Sequence, residues 1–156
     1  MSEAIVLHRL GALDLDRAAV LHAESFVPLG ERPWSRQDFA ELLSLPGTAG
    51  FVLVDDGADV GFALCRSAGE EAELLTIAVR SVARRRGFGR RLLRAVIGHV
   101  RDGGARELFL EVGADNPSAR SLYVAEGFEA VGIRRDYYRR GEGRVADAIV
   151  MRLTFN

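Results

Sequence analysis

Arg84-Arg85-Arg86-Gly87-Phe88-Gly89-Arg90-Arg91 sets an arginine run around two glycines one residue apart, and Leu92-Leu93 open a helix-like apolar pattern directly after it. Glycine lets a backbone approach a ligand with no Cβ in the way. A helix starting there aims its free N–H groups and the positive end of its dipole at the same point. Guanidinium groups add charged planar donors that match phosphate oxygens. Together these features describe a cradle for a pyrophosphate. The segment lacks the third glycine of a dinucleotide fingerprint and the Gly-Lys-Ser/Thr of a P-loop, so neither of those ligand classes fits.

Other chemistries are removed by what the chain does not contain. It has no lysine, which excludes a Schiff base. Cys65 is the only cysteine, so there is no intrachain disulfide and no cysteine-rich zinc site. His8, His22 and His99 are scattered, without ligand spacing, and no H-E-x-x-H is present; no metal site is expected. No G-x-S-x-G elbow occurs. The net charge of −1 hides an asymmetry: residues 1–79 hold 13 acids and 5 arginines, residues 80–156 hold 9 acids and 16 arginines. Such a basic half suits a polyanionic cofactor or nucleic acid. In a chain that uses arginine for every long cation, each single arginine is weak evidence.

The elements that must hold the cradle can be read from period and punctuation. The 156 residues favour one domain, 1–156, with one core. No stretch reaches the ~20 apolar residues of a membrane span. Met1-Ser2-Glu3-Ala4 carries no secretory signal, so a cytoplasmic protein without a membrane segment is expected. Ile5–Leu10 reads as a strand and Leu13–Phe26 as a helix with Leu13 on its apolar face. Ser35-Arg36-Gln37-Asp38 has capping-box spacing for a short second helix to Ser44. Gly50–Val54, Val60–Arg66 and Glu73–Val79 read as three consecutive strands. The helix after the glycines puts Leu92, Leu93, Val96, Ile97 and Val100 on one face. Gly98 inside it costs ~1 kcal/mol against alanine, which close packing on a sheet would explain. Glu107–Val112 is a strand, and Asn116-Pro117 starts a helix to Glu126. Phe128–Arg134 and Val145–Thr154 are strands, joined by a long turn that contains Tyr137-Tyr138 and Gly141-Glu142-Gly143. The order βααβββαβαββ predicts an α+β fold with a mixed, largely antiparallel central sheet and about four flanking helices.

Four segments in this order carry a family resemblance. Leu75-Thr76-Ile77-Ala78-Val79, Arg84-Arg85-Arg86-Gly87-Phe88-Gly89, Leu110-Glu111-Val112, and Asn116 to Tyr123 with Gly127-Phe128 beyond, resemble the GNAT superfamily of N-acetyltransferases. His22 to Phe26, Pro33-Trp34-Ser35, Arg134 to Tyr138 and Asp147 to Met151 resemble one branch of it. That branch acetylates the N-terminal alanine of a small-subunit ribosomal protein.

The resemblance implies acetyl-CoA as cosubstrate and a protein or peptide N-terminus as partner, with no direct nucleic-acid role. It implies that backbone groups of Ile77, Ala78 and Val79 pair with the pantetheine arm as a surrogate strand. It assigns the pyrophosphate to Arg85, Arg86, Gly87, Phe88, Gly89 and Arg90, and a cofactor contact to Asn116. It makes Glu111 the candidate general base and Tyr123 the candidate general acid. An α-amine must lose a proton to attack a thioester, and the departing thiolate must gain one. The resemblance also places Trp34, Tyr137 and Tyr138 beside the amine entrance, where Trp34 and Tyr138 would wall a narrow slot for an extended N-terminus. The Val27–Arg32 segment is longer than the family usually carries. Acetylation of a small amine or of another protein amine, a silent CoA-binding module and nucleic-acid binding remain as alternatives.

Overall fold

Thr48–Asp55 and Ala58–Ala68 are apolar without interruption through their middles, so both strands must be covered on two faces. The computed structural model describes residues 4–156 and shows that cover. The Met1-Ser2-Glu3 start, read above as lacking a secretory signal, lies outside the described residues. Phe51, Leu53, Ala63 and Cys65 pack into one core; Val52, Val54, Phe62 and Leu64, one residue out of phase, pack into the other. This is the period-2 alternation of a strand buried on both sides.

The elements follow the order expected from sequence: β1 Ile5–Arg9, α1 Leu15–Phe26, α2 Arg36–Ser44, β2 Thr48–Asp55, β3 Ala58–Ala68, β4 Glu71–Val79, α3 Phe88–Asp102, β5 Glu107–Gly113, α4 Pro117–Ala125, β6 Glu129–Arg139 and β7 Val145–Thr154. They form a sheet in the order β1-β2-β3-β4-β5-β7-β6. Every pairing is antiparallel except β4 with β5. Leu92, Leu93, Val96 and Val100 of α3, with Tyr123 of α4, fill the core on one face. Leu15, Ala18 and Leu21 of α1, with Phe39 of α2, fill the other.

The predicted caps are present. The Ser35 hydroxyl accepts from the Asp38 N–H, and the Asp38 carboxylate accepts from the Ser35 N–H. Three local expectations are corrected. Leu13 lies in a short 3-10 turn before α1 and is fully exposed. A Cβ on Gly98 would meet no atom within 4 Å, so close packing does not explain that glycine. Tyr137 and Tyr138 belong to β6, which runs on to Arg139. The β6–β7 register slips between Arg134 and Tyr138, and Asp136 takes φ 51°. This irregularity carries the strand through a stretch read above as a turn.

Two features of β4 create the site. Thr76 pairs with Leu64 but Leu74 with Cys65, so Leu75 is an extra residue, a β-bulge. Before it Ala72 and Leu74 face the α3 core; after it Ile77 and Val79 face that core, while Leu75 and Ala78 turn to α1 and α2. The parallel pairing of β4 with β5 covers only Glu71–Glu73 against Glu107–Phe109. Beyond it both strands continue and separate.

Candidate active site

Where β4 and β5 part, the sheet opens into a cavity of about 410 Å³. One edge of β4 stays bound to β3, with Ile77, Ala78 and Val79 opposite Ala63, Phe62 and Gly61. Among the described residues the other edge has no strand partner beyond Glu73. Alternate backbone N–H and C=O groups of an unpartnered edge point outward, ready for an amide-bearing chain. Thr76 adds to this: it lines the cavity, and its buried Oγ1 has no hydrogen-bond partner among the described residues. A buried unpaired hydroxyl is costly in a finished core. These features fit a pantetheine arm.

The start of α3 fits a diphosphate through its backbone. Gly87 is the N-cap at φ 81° and has no side chain of its own to cap the helix. The first intrahelical bond runs from the Arg91 N–H to the Gly87 carbonyl, which leaves the earlier N–H groups of the turn free. A Cβ on Gly89 would lie 3.4 Å from Leu122 Cδ2 and 3.8 Å from Val79 Cγ2; the helix start is thus in contact distance of β4 and α4. The side chains divide differently from expectation. Phe88 is buried in the core, and Arg86 donates to Asp55 at 2.8 Å while lying over the Phe88 ring. Arg90 leans toward Glu126, 3.7 Å away. Arg85, at φ 66°, is exposed. Of the expected pyrophosphate residues only Gly89 lines the cavity itself. Arg85, Arg86, Gly87 and Arg90 are exposed outside it, and Phe88 is buried beneath.

Asn116 lines the cavity and caps α4, its Oδ1 accepting from the Ala119 N–H at 3.1 Å. That cap fixes the helix on which Tyr123 sits two turns later. Tyr123 is 5% exposed, meets Phe128 edge-on at 5.8 Å, and lines the cavity. Burial pushes its phenol up to about 12. Glu111 lines the cavity from β5 and is anchored by Arg134 Nε at 2.7 Å. Trp34, Tyr137 and Tyr138 line the same space. The Tyr138 phenol is pushed well above its usual range by burial, and then by the negative charges of Glu111 and Glu31.

Four polar residues lining this site were not reached from the sequence. Thr76 shares an apolar strand and gave no signal. His22 read as structural, which is true in part: its Nδ1 accepts from the Trp34 N–H at 3.1 Å, and its ring stacks on Trp34 at 4.6 Å. It also lines the cavity, and burial pushes it down to about 4, so it is neutral at physiological pH. Glu31 and Arg140 line the cavity as well and are joined to each other at 2.7 Å across 109 residues of sequence. No local pattern reports a pairing of that range. Ala78 is the reverse case, a predicted site residue whose side chain packs toward α1 and α2 and leaves only its backbone for a ligand.

Comparison with known proteins bears on what such a cavity does. The family model described as the acetyltransferase (GNAT) family matches residues 16–128. The N-alpha-acetyltransferase RimI of Mycobacterium tuberculosis is 37% identical over 155 residues, 97% of this chain and 93% of the relative. The crystal structure of the ribosomal-protein-S18-alanine N-acetyltransferase from Escherichia coli superposes with a TM-score of 0.86 at 34% identity, covering 97% of this chain and 94% of that one. A phosphinothricin acetyltransferase from Sinorhizobium meliloti, solved in complex with AcCoA, gives 0.85 at 25% identity, covering 97% and 89%.

Proposed function

The chain belongs to the GNAT acetyltransferase family, and from there we propose that it transfers acetyl from acetyl-CoA to a protein N-terminal α-amine, the N-terminal alanine of small-subunit ribosomal protein S18. Residues 1–156 act as one catalytic unit, and such an acceptor sets the reaction in the cytoplasm. The observation that carries the reading is the gap between β4 and β5. It gathers an unpaired strand edge, a carboxylate and a buried phenol around one space. The relatives described above support the choice of acceptor.

Acetyl-CoA supplies the acetyl group as a thioester. The β4 edge from Ile77 to Val79 binds and aligns its amide-bearing arm, and a backbone N–H there polarises the carbonyl. The first turn of α3 with Arg85 binds the phosphates through N–H groups and charge. Glu111 accepts the proton of the acceptor amine, directly or through water. The reference pKa of an α-amine is about 8, so no strong base is required. Tyr123 donates its hydroxyl proton toward the sulfur. Trp34, Tyr137 and Tyr138 wall the acceptor side, and their rings leave a slot for an extended chain. The amine attacks directly in a ternary complex. Cys65 has no part in it, because it is fully buried and its thiol is pushed up to about 11 by that burial.

The fold likeness to phosphinothricin acetyltransferase keeps a small-amine acceptor as the rival reading. Thiol release from acetyl-CoA separates the two. A peptide with the S18 N-terminus should support turnover, and the same peptide with a blocked α-amine should not. Equal rates with both, or turnover with free amines alone, would overturn the proposal.

A further inference from the structure

We infer that Arg140 is a positioning residue that ties three loops into one collar around the acceptor end of the cavity, and so sets selectivity for an extended peptide over a compact amine. The inference rests on the proposed acceptor class and adds a residue to it.

The side chain of Arg140 is only 12% exposed, and its guanidinium is used on several sides. Nη1 donates to Glu31 at 2.7 Å, Nε to Asp115 at 2.9 Å and Nη2 to Asp115 at 3.0 Å. Its Cζ lies 4.6 Å from the centre of the Tyr138 ring. Such a forked donor, paired in two directions and stacked, is geometry that lysine cannot reproduce. Each partner belongs to a different wall. Glu31 follows the 3-10 turn Val27–Leu29 after α1, in the segment leading to Trp34. Asp115 lies between β5 and α4, next to the Asn116 cap. Tyr138 is on β6.

The backbone is built for the same closure. Gly30 has φ 81°, and a Cβ there would clash with the Arg140 carbonyl. A Cβ on Gly113 would lie 2.6 Å from Arg140 Nη2 and would clash with Asp115 Oδ1. Gly141 Cβ would stand 3.8 Å from Gly30 Cα. The helix-linking segment and the β6–β7 hairpin therefore touch, joining opposite sides of the gap between β4 and β5. Glu31, Tyr138 and Arg140 all face the cavity. A chain presenting its terminal amine to Glu111 must pass this fixed outline, so its second and third residues meet the collar. A compact amine has no such residues and gains nothing from it.

The test is steady-state kinetics at saturating acetyl-CoA with two acceptors, a six-residue peptide beginning with alanine and alaninamide. In Arg140→Ala the ratio of kcat/KM for peptide over alaninamide should fall about tenfold, carried by KM for the peptide, as expected when a bound chain loses alignment. Arg140→Lys should recover part of the ratio, and Glu31→Gln should lose part of it. A general loss of fold lowers both acceptors together. An unchanged ratio in Arg140→Ala and Glu31→Gln overturns the collar; if Arg140→Ala does not fold, Glu31→Gln and Asp115→Asn decide by the same ratio. Wild-type protein that acetylates neither acceptor refutes the functional proposal and the collar with it. An active wild type with an invariant ratio refutes the collar alone.

Discussion

Tyr123→Phe is the sharpest test of the proposed proton donor. Burial holds this phenol at about 12. A thiol comparable to cysteine has a reference value of about 8.5, so complete transfer of the proton to a free thiolate would be uphill by roughly 5 kcal/mol. The hydroxyl therefore acts by donating a hydrogen bond as charge builds on sulfur. Hydrogen bonds to charged groups contribute about 1.5–3 kcal/mol, which corresponds to a loss of about 10- to 150-fold in kcat. Phenylalanine keeps the ring that meets Phe128 at 5.8 Å, so the fold and the KM for acetyl-CoA should be preserved. The pH profile should keep its shape as well: below about 12 the phenol is protonated, and no alkaline limb in the working range belongs to it. The assay is thiol release over a range of pH, with a thermal melt as control. Wild-type kcat in the variant would refute the role. Loss of acetyl-CoA affinity together with a lowered melting point would make Tyr123 a core aromatic and nothing more.

Further outcomes follow from named contacts. Gly47→Ala should destabilise by about 2 kcal/mol or more, read by denaturant unfolding, because φ is 83° and the Cβ would clash with the Ser67 carbonyl. His22 is lowered to about 4 in the fold against about 6.5 unfolded. Its contribution is complete above pH 6.5 and is lost as pH falls toward 4, amounting to about 2 kcal/mol by pH 5. Unfolding free energies of wild type and His22→Gln between pH 7.5 and 5 should show that slope shrinking in the variant; His99, also lowered by burial, leaves a remainder of the same sign. Cys65→Ala should keep its turnover and cost about 1 kcal/mol of stability. Abolished turnover with intact acetyl-CoA binding would contradict direct transfer.

The element order was legible because punctuation and period agreed along the chain. The Ser35–Asp38 box and the Asn116 cap lie within four residues, and both formed as their spacing requires. The apolar stripe of α3 was equally local. What the chain alone did not disclose depends on partners distant in sequence. The bulge at Leu75 is a mismatch between two strands, and either strand read singly looks regular. The parting of β4 and β5 is a pairing that stops; nothing in Glu111 or Thr76 announces it. Tyr137 and Tyr138 read as a turn because Arg134 to Gly143 carries turn residues, yet pairing of Tyr138 and Arg139 with β7 extends the strand to Arg139. Glu31, Asp115 and Arg140 each look like solvated charges until the fold brings them together.

Acetylation of a protein α-amine in this cavity has a direct readout. Mass spectrometry of small-subunit ribosomal proteins incubated with enzyme and acetyl-CoA addresses it directly. One acetyl group is expected, on the α-amine of the N-terminal alanine of S18, and it is lost in Glu111→Gln. Acetylation confined to lysine side chains, or S18 left unmodified while free amines are consumed, would contradict it.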